Sequence, residues 1–532
     1  MAGLVHFESE RAVSRLPDMD FLEPREAWEA LVEYRQDYYR ASIAAYNGDH
    51  SELRATSDYG MFWQRAGKAK VHVPIAADIA ATSADMLFSE EPQLVCYDEV
   101  TEDNESKQQH RLDELIELNN LHGKLNEAAE SCAALGDVYL KLNWWQDEVE
   151  YPVLTVVQGD SAWPEFLFGL LQCVHFFSII KEDMHNHTVY RLYERYEKGR
   201  IISRVFRGSP NDLGSELPES ELEQYGLEAD LKTPIDEMLA VHIPNMKPNR
   251  RYRDSSMGRS DLDGLRNLMD SLDETYSSWM RDIRLAKARL IVPAEYLRRK
   301  PAEMFNGDNR FTYEFDEDIE TLVALDIDPE RVGTSITPSQ FSIRSTDHAM
   351  TCSDIIRNIV TVAGYAPQSF GLDIQGMAQS GTALHIREKK SYNTRGKKQT
   401  YWKSPLERIM TAMVHLDAVL YPQAGSDSDD NVKIKFADSM SNDISTMSSA
   451  LSMLNSAAAV STEMKIQMLH PDWTQKQIAE EVERIKKETG MWMNDAMAEM
   501  GDLEGAQAGD GMPLMQGAQD AVGAEETEGA DE

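Results

Sequence analysis

The stretch from 260 to 290, SDLDGLRNLMDSLDETYSSWMRDIRLAKARL, decides how the rest of the chain is read. Its apolar positions are Leu262, Leu265, Met269, Leu272, Tyr276, Trp279, Ile283, Ala286 and Leu290, separated alternately by 3 and 4 residues. That spacing draws one continuous seam along a helix. At 1.5 Å per residue it predicts a rod of about 43 Å. Ser260 stands as the expected N-cap, with Asp263 in capping-box position. Asp270, Asp273 and Glu274 lie in the first half, and Arg281, Arg284, Lys287 and Arg289 near the end. This order suits the helix dipole. Pro293 is expected to stop the helix.

Downstream, residues 293–345 are expected to hold short strands, Phe311–Phe315, Thr321–Ile327 and Gln340–Arg344, in an acidic module with one basic corner, Arg298, Arg299 and Lys300. A second helix is predicted over Asp347–Ala363, with Met350, Ile355, Ile359 and Val362 inward. Gly364 fits its C′ position, and Pro367 follows. A glycine-containing loop, Tyr365–Gly381, leads to a long helix over 382–418 and a strand over 432–437. Helices are expected at 443–456, 461–469 and Gln475–Thr489. After Lys487 the chain carries 12 acids and no Lys or Arg, a composition expected to be disordered.

Upstream, helical spacing predicts helices over 23–46, Pro74–Phe88 and 110–135. The period then changes. Asp137–Asn143, Pro152–Val157, Phe166–Leu171, Val174–Ile180, Thr188–Tyr196 and Arg200–Phe206 are rich in β-branched and aromatic residues and predict an antiparallel meander. Trp144 and Trp145, at the end of its first strand, are expected to pack inward. The fold class is α+β.

The 532 residues are enough for about three domains. They hold 53 Lys+Arg against 91 Asp+Glu, a formal charge of −38. Such a charge argues against coating nucleic acid, because each neutralised phosphate needs a cation. It is compatible with acidic walls past which nucleic acid slides. Cys96, Cys132, Cys173 and Cys352 form no CxxC or zinc-type spacing and are expected as buried free thiols. Residues 1–10 include His6 and Glu8 and show no signal-peptide core, so a soluble intracellular product is expected.

Tests for catalytic chemistry return little. Gly376 to Thr382 has the glycine spacing of a phosphate loop, but Thr382 stands where Lys is required. His185-Asn186-His187 reads as a surface turn. Asp427 to Asn431 begins like a calcium loop, yet Val432 occupies the glycine position. No catalytic residue, metal site or cofactor is expected. One anomaly is a basic run in an acidic chain: Arg387, Lys389, Lys390, Arg395, Lys397, Lys398 and Lys403, against the single acid Glu388. A solvated face, a partner for acidic neighbours in an assembly, and contact with a polyanion remain open for it.

Several motifs, in this order, resemble the portal protein of tailed bacteriophages, the siphophage-type head-to-tail connector. They are Val73-Pro74-Ile75-Ala76-Ala77-Asp78-Ile79 running to Leu87-Phe88-Ser89-Glu90-Glu91-Pro92, then Ile243-Pro244-Asn245, then Gly258-Arg259-Ser260-Asp261-Leu262. Ser369-Phe370-Gly371, Gln379-Ser380-Gly381-Thr382-Ala383-Leu384 and the segment from Pro471 complete the series. The resemblance covers about 25–490 and leaves residues 1–24, an N-terminal arm, and 491–532, the acidic tail, unmatched.

The resemblance implies a ring, usually of twelve subunits, at one capsid vertex, through which double-stranded DNA is packaged and ejected without sequence specificity. It implies a wing over 25–257 with 383–438, stem helices over 260–290 and 347–363, and a clip over 291–346. A channel loop over 365–382 and a crown over 439–490 complete the subunit. The stem seam is Leu265, Met269, Leu272, Tyr276, Trp279 and Ile283. The channel loop carries Phe370, Gly371, Gly376, Gln379, Ser380 and Gly381. Arg387, Lys389, Lys390, Lys397 and Lys398 are candidate contacts to DNA or to a neighbouring subunit, and Arg298, Arg299 and Lys300 a clip surface for a partner. Implied partners are the large terminase subunit, a head-completion adaptor, and the major capsid and scaffolding proteins. The implied location is the virion, with the host cytoplasm during assembly. Two rivals stand beside it: an acidic scaffold or adaptor with no DNA channel, and a nuclease or hydrolase fused to a helical scaffold.

Overall fold

A computed structural model describes residues 20–56, 71–96, 107–286, 289–291, 298–301, 311–314, 337–339, 343–372, 381–427, 431–436, 444–470, 473 and 478–487, apart from positions 147, 184, 458 and 486. The acidic tail, Pro293, Thr321–Ile327, Gly376, Gln379 and Ser380 therefore lie outside the described residues. So do the side chains of Arg298, Arg299, Lys300 and Arg387, while Gly381 is described as the first residue of a helix. The described chain falls into two units, 1–439 and 440–532.

The first unit opens with helix α1 (Pro24–Tyr34), a π-turn over Arg35–Tyr39 and α2 (Arg40–Asn47). Glu23 and Glu26 form the capping box of α1, with Pro24 in its first turn. Helix α3 (His50–Thr56) and α4 (Ile75–Phe88) follow, then strand β1 (Gln93–Cys96). The predicted helix over 110–135 is broken in two, α5 (Lys107–Leu118) and α6 (Leu121–Leu135). Asn120 at φ 46° makes the break. The buried Asn119 side chain explains why the break is worth making. Its amide donates to the Leu115 and Pro152 carbonyls at 3.1 and 3.0 Å, and its oxygen accepts from Leu154 N at 2.8 Å. The interruption thus latches the helices to the next sheet.

That sheet has β2 (Asp137–Asn143) at its centre, flanked by β3 (Val153–Gln158) and, later in the chain, β10 (Ala240–Pro244), all antiparallel. A second sheet runs β4 (Ala162–Leu167), β5 (Leu170–Asp183), β6 (Thr188–Glu197), β7 (Arg200–Gly208) and β8 (Ser215–Glu216). Helix α7 (Ser220–Glu223) and β9 (Asp230–Lys232), which pairs with β7, complete it. The predicted meander is therefore two sheets, not one. The predicted strand Phe166–Leu171 is also corrected. Phe168 and Gly169 have φ 51° and 78° and make a tight hairpin turn there, as the right-handed twist of the flanking strands favours. Trp144 packs against the core, but Trp145 is 61% exposed. His185 and His187 sit in the exposed β5–β6 turn, as expected.

The long heptad helix is α8 (Arg266–Leu285), followed by β11 (Arg289–Ile291), β12 (Arg298–Pro301), β13 (Phe311–Glu314) and β14 (Thr337–Ser339). β11 pairs β14, and β12 pairs β13. Helix α9 (Ser345–Ala363) returns and ends at Gly364, φ 112°, as its sequence predicts. A short 3-10 turn, Pro367–Phe370, precedes α10 (Gly381–Leu420), and β15 (Val432–Lys435) pairs antiparallel with β1. Val432 is thus a buried strand residue, which accounts for the failed calcium-loop spacing.

One core joins α4, α5, α6, the three-stranded sheet, β1, β15 and the second half of α10 from Trp402 to Leu416. A buried pair, Arg111 Nη2 to Asp417 Oδ1 at 2.9 Å, ties α5 to the end of α10. A second core sets α1 against the inner face of β4–β7. A third joins the start of α4 to α8 and α9. The second unit contains α11 (Ile444–Ser456) and α12 (Thr462–Leu469), with helical residues again at 478–485. Ser461 caps α12 by accepting from Met464 N at 3.3 Å. No helix among the described residues is long and apolar enough to cross a membrane.

Candidate functional site

The heptad helix does not begin where its spacing suggests. Gly264 has φ 80° and closes a turn, so α8 starts at Arg266 and Ser260 is not its N-cap. The Ser260 hydroxyl instead donates to the Ala134 carbonyl at 2.6 Å and accepts from Leu262 N at 3.0 Å. This segment crosses the end of α6 at close range. A side chain at Gly136, φ 105°, would bring its Cβ to 2.8 Å from Ser260 N, so backbone meets backbone there.

The close crossing places Asp261, fully inside the protein, beside three other elements. Lys398 Nζ, from α10, lies 2.5 Å from Asp261 Oδ2 and 2.6 Å from Ser83 Oγ of α4. Tyr365 Oη donates to the same carboxylate oxygen at 2.7 Å, and Asn245 Nδ2 donates to Oδ1 at 2.8 Å. Burial, and next the charge of Asp261, push the Tyr365 phenol well above its usual pKa, so it stays a donor. Every polar partner of this buried carboxylate comes from a different part of the chain. A buried ion pair is tolerable only when its remaining valences are met in this way.

The preceding turns of α10 anchor the segment leading to residues 373–380. Ala366 N donates to Ser391 Oγ at 2.8 Å, and Ser369 Oγ lies 2.9 Å from Ser391 Oγ. Thr394 Oγ1 donates to the Gly364 carbonyl at 2.6 Å, and Lys390 donates to the Thr361 carbonyl. Phe370 packs on Tyr365, and Gly371 has φ 70°. The basic run is therefore divided. Lys398 is an internal ion-pair partner and Lys390 a cap for α9, while Lys389 and Lys397 are exposed.

The seam itself is divided too. Leu265, Met269 and Leu272 are buried with Ile75, Ile79, Ile359 and Val360. His72 Nδ1 meets Asp273 Oδ2 at 2.7 Å and Val73 N donates to Asp273 Oδ1 at 2.8 Å, which fixes this half of α8 against the start of α4. Tyr276 and Trp279 are only partly buried, and Ile283 is 40% exposed. On α9 the inward residues are Cys352, Ile355, Ile359, Val360 and Ala363. Met350 and Val362, expected inside, are 63% and 54% exposed. A helix presents one stripe to one neighbour, and the stripe facing α8 is rotated from the predicted one by the Cys352, Ile359, Ala363 row. The distal halves still meet through Trp279 stacked on His348 at 6.1 Å and Asp282 accepting from His348 and Arg344 at 3.0 and 3.4 Å.

The profile of the family "phage portal protein, SPP1 Gp6-like" matches residues 37–494. This chain belongs to the phage portal protein family. A search of the curated proteins finds no match. Among solved structures, the neck of an empty gene transfer agent particle (GTA, C6 symmetry) is similar with TM-score 0.39 and 11% identity, over 74% of this chain and 90% of that one. The neck of the native GTA particle with C12 symmetry gives 0.37 and 12%, over 82% and 92%. The virion of the native particle gives 0.38 and 11%, over 81% and 98%. At these TM-scores the likenesses stand beside the family match and add nothing to it.

For this portal-family chain, spacing alone marks the seam and the basic run. It does not mark Asp261 as the partner of Lys398, 137 residues away, nor the meeting of Glu165, Cys173 and His175 on β4 and β5. A Cys-x-His pair in a strand is the one visible trace of the latter.

Proposed function

We propose that the chain forms a closed ring of identical subunits, twelve by analogy with its family, at one capsid vertex. Double-stranded DNA is packaged and ejected through the axial channel. In this reading residues 25–257 with 383–438 are the wing, 260–290 and 347–363 the stem, and 291–346 the clip. Residues 365–382 form the channel loop and 439–490 the crown. The clip, with Arg298, Arg299 and Lys300, docks the packaging motor and then the head-completion adaptor. The role is structural, with no catalytic step in this chain.

The observation that carries the reading is the family match over 37–494. The half-open seam supports it. Ile283, Met350 and Val362 leave apolar surface on two paired helices, and a repeating neighbour would cover such surface. The net charge of −38 suits a wall that DNA passes without adhering. Native mass spectrometry with an axial electron-microscope class average tests the proposal. A large closed ring with a central hole is expected. A monomer or dimer at all concentrations would leave the acidic adaptor in its place.

A further inference from the structure

Strand β5 alternates its side chains across the sheet, so Cys173 and His175 share one face. Glu165 on β4 stands directly opposite Cys173 in the antiparallel register, just before a bulge between Glu165 and Phe166. All three side chains are buried. Their donor atoms converge. His175 Nε2 lies 2.8 Å from Glu165 Oε1, and Cys173 Sγ lies 3.5 Å from each of them.

We propose that Glu165 Oε1, Cys173 Sγ and His175 Nε2 are three ligands of a zinc-type divalent ion buried in the β4–β5 hairpin. The donor set is one thiolate, one imidazole and one carboxylate, the types zinc takes. Tetrahedral bonding at ordinary zinc–ligand lengths sets the donor atoms about 3.4–3.6 Å apart. The two sulfur distances already meet that figure, and the nitrogen–oxygen pair needs to open by about 0.6 Å. Thiolate and carboxylate together balance the charge of the ion, which a buried site requires.

The surroundings orient the ligands. His175 Nδ1 lies 2.9 Å from Tyr193 Oη on β6. With Nδ1–H donated to that oxygen, Nε2 presents its lone pair to the cluster, the arrangement that holds metal-binding imidazoles in place. Leu22 N donates to Glu165 Oε1 at 2.8 Å, so the backbone ahead of α1 closes over the site. The ion would therefore enter as the chain folds and would cross-link β4 to β5. A tetrahedral ion with three protein ligands keeps one position for a water or another donor.

Full-length protein expressed with zinc, and separately with cobalt, provides the test. About one zinc per chain by mass spectrometry of the metal is expected, and the cobalt form should show a thiolate-to-cobalt charge-transfer band in the near ultraviolet. Cys173→Ser should abolish the band, and Cys96→Ser should keep it. Tyr193→Phe should lower metal affinity about 10–100-fold, as loss of an orienting partner does elsewhere, while the cobalt form that remains keeps its charge-transfer band. Folded protein with neither metal nor band would overturn the proposal and leave a hydrogen-bonded polar cluster. A band that survives Cys173→Ser would overturn it as well, by placing the metal elsewhere.

Discussion

The two halves of helix α8 carry one uninterrupted heptad pattern but live in different surroundings. Leu265 to Leu272 are buried against α4 and α9 and lie close to the Asp261–Lys398 pair and the His72–Asp273 contact. From Tyr276 onward, among the described residues, the helix meets α9 and, through Ser277, the backbone of Val71, and Ile283 is 40% exposed. The difference teaches that periodicity reports which residues lie on a seam, and says nothing about whose surface covers it. In the first half the cover is this chain. In the second, under the proposed ring, it is a neighbour.

Five substitutions test that difference. The largest effect belongs to Leu272→Asp, which buries an unpaired charge in the subunit's own core. It should cost several kcal/mol and abolish cooperative unfolding in calorimetry. A normal melt from this variant would move the near half into the assembly interface. Next is Lys398→Met, which leaves Asp261 buried and unpaired. A loss of about 3–5 kcal/mol in denaturant titration is expected. Lys397→Gln, one position away and exposed, should stay within about 0.5 kcal/mol. Equal effects of the two would mean the pair contributes nothing.

A smaller effect is pH-dependent. Burial works against a charged His72, but the hydrogen bond and charge of Asp273, with the Ala45 carbonyl and Asp270, outweigh it and raise its pKa. A raised folded-state pKa means stabilisation fully present below about 6.5, the usual imidazole value, and lost as pH rises through the folded value. Melting temperature should therefore decline from about pH 6 to about pH 8 by an amount that His72→Gln removes. Identical profiles for both proteins would exclude the His72–Asp273 contact as the source. The smallest effect on the subunit is expected from Ile283→Asp. Its melt should move by less than about 0.5 kcal/mol. Native mass should nevertheless show rings giving way to free subunits, and intact rings would remove the distal half from the interface.

Much of the fold was legible because local rules govern it. Gly364 ends α9 in the left-handed conformation its position requires, and α10, Gly381–Leu420, covers the helix expected over 382–418. The misreadings have two causes. Asn119 breaks a helix to satisfy a strand, Phe168 accepts a positive φ to close a hairpin, and Gly264 delays α8 so that Asp261 can face Lys398. At Asn119 and at Asp261 a hydrogen bond or ion pair to a distant part of the chain outweighed local preference, whereas the Phe168–Gly169 turn is closed by pairing of the adjacent strands.

The sequence by itself determined the seam, the return helix, the acidic balance and the order of motifs that marks a portal-family chain. Those properties are written in periods of a few residues and in composition, and survive without knowledge of neighbours. Only the tertiary structure decided which lysine of the basic run is an ion-pair partner, which half of the seam is covered, and that Glu165, Cys173 and His175 meet. Such contacts join residues that local periodicity does not link. An ion pair such as Asp261–Lys398 exists only once packing has removed both groups from water and left each the other as partner.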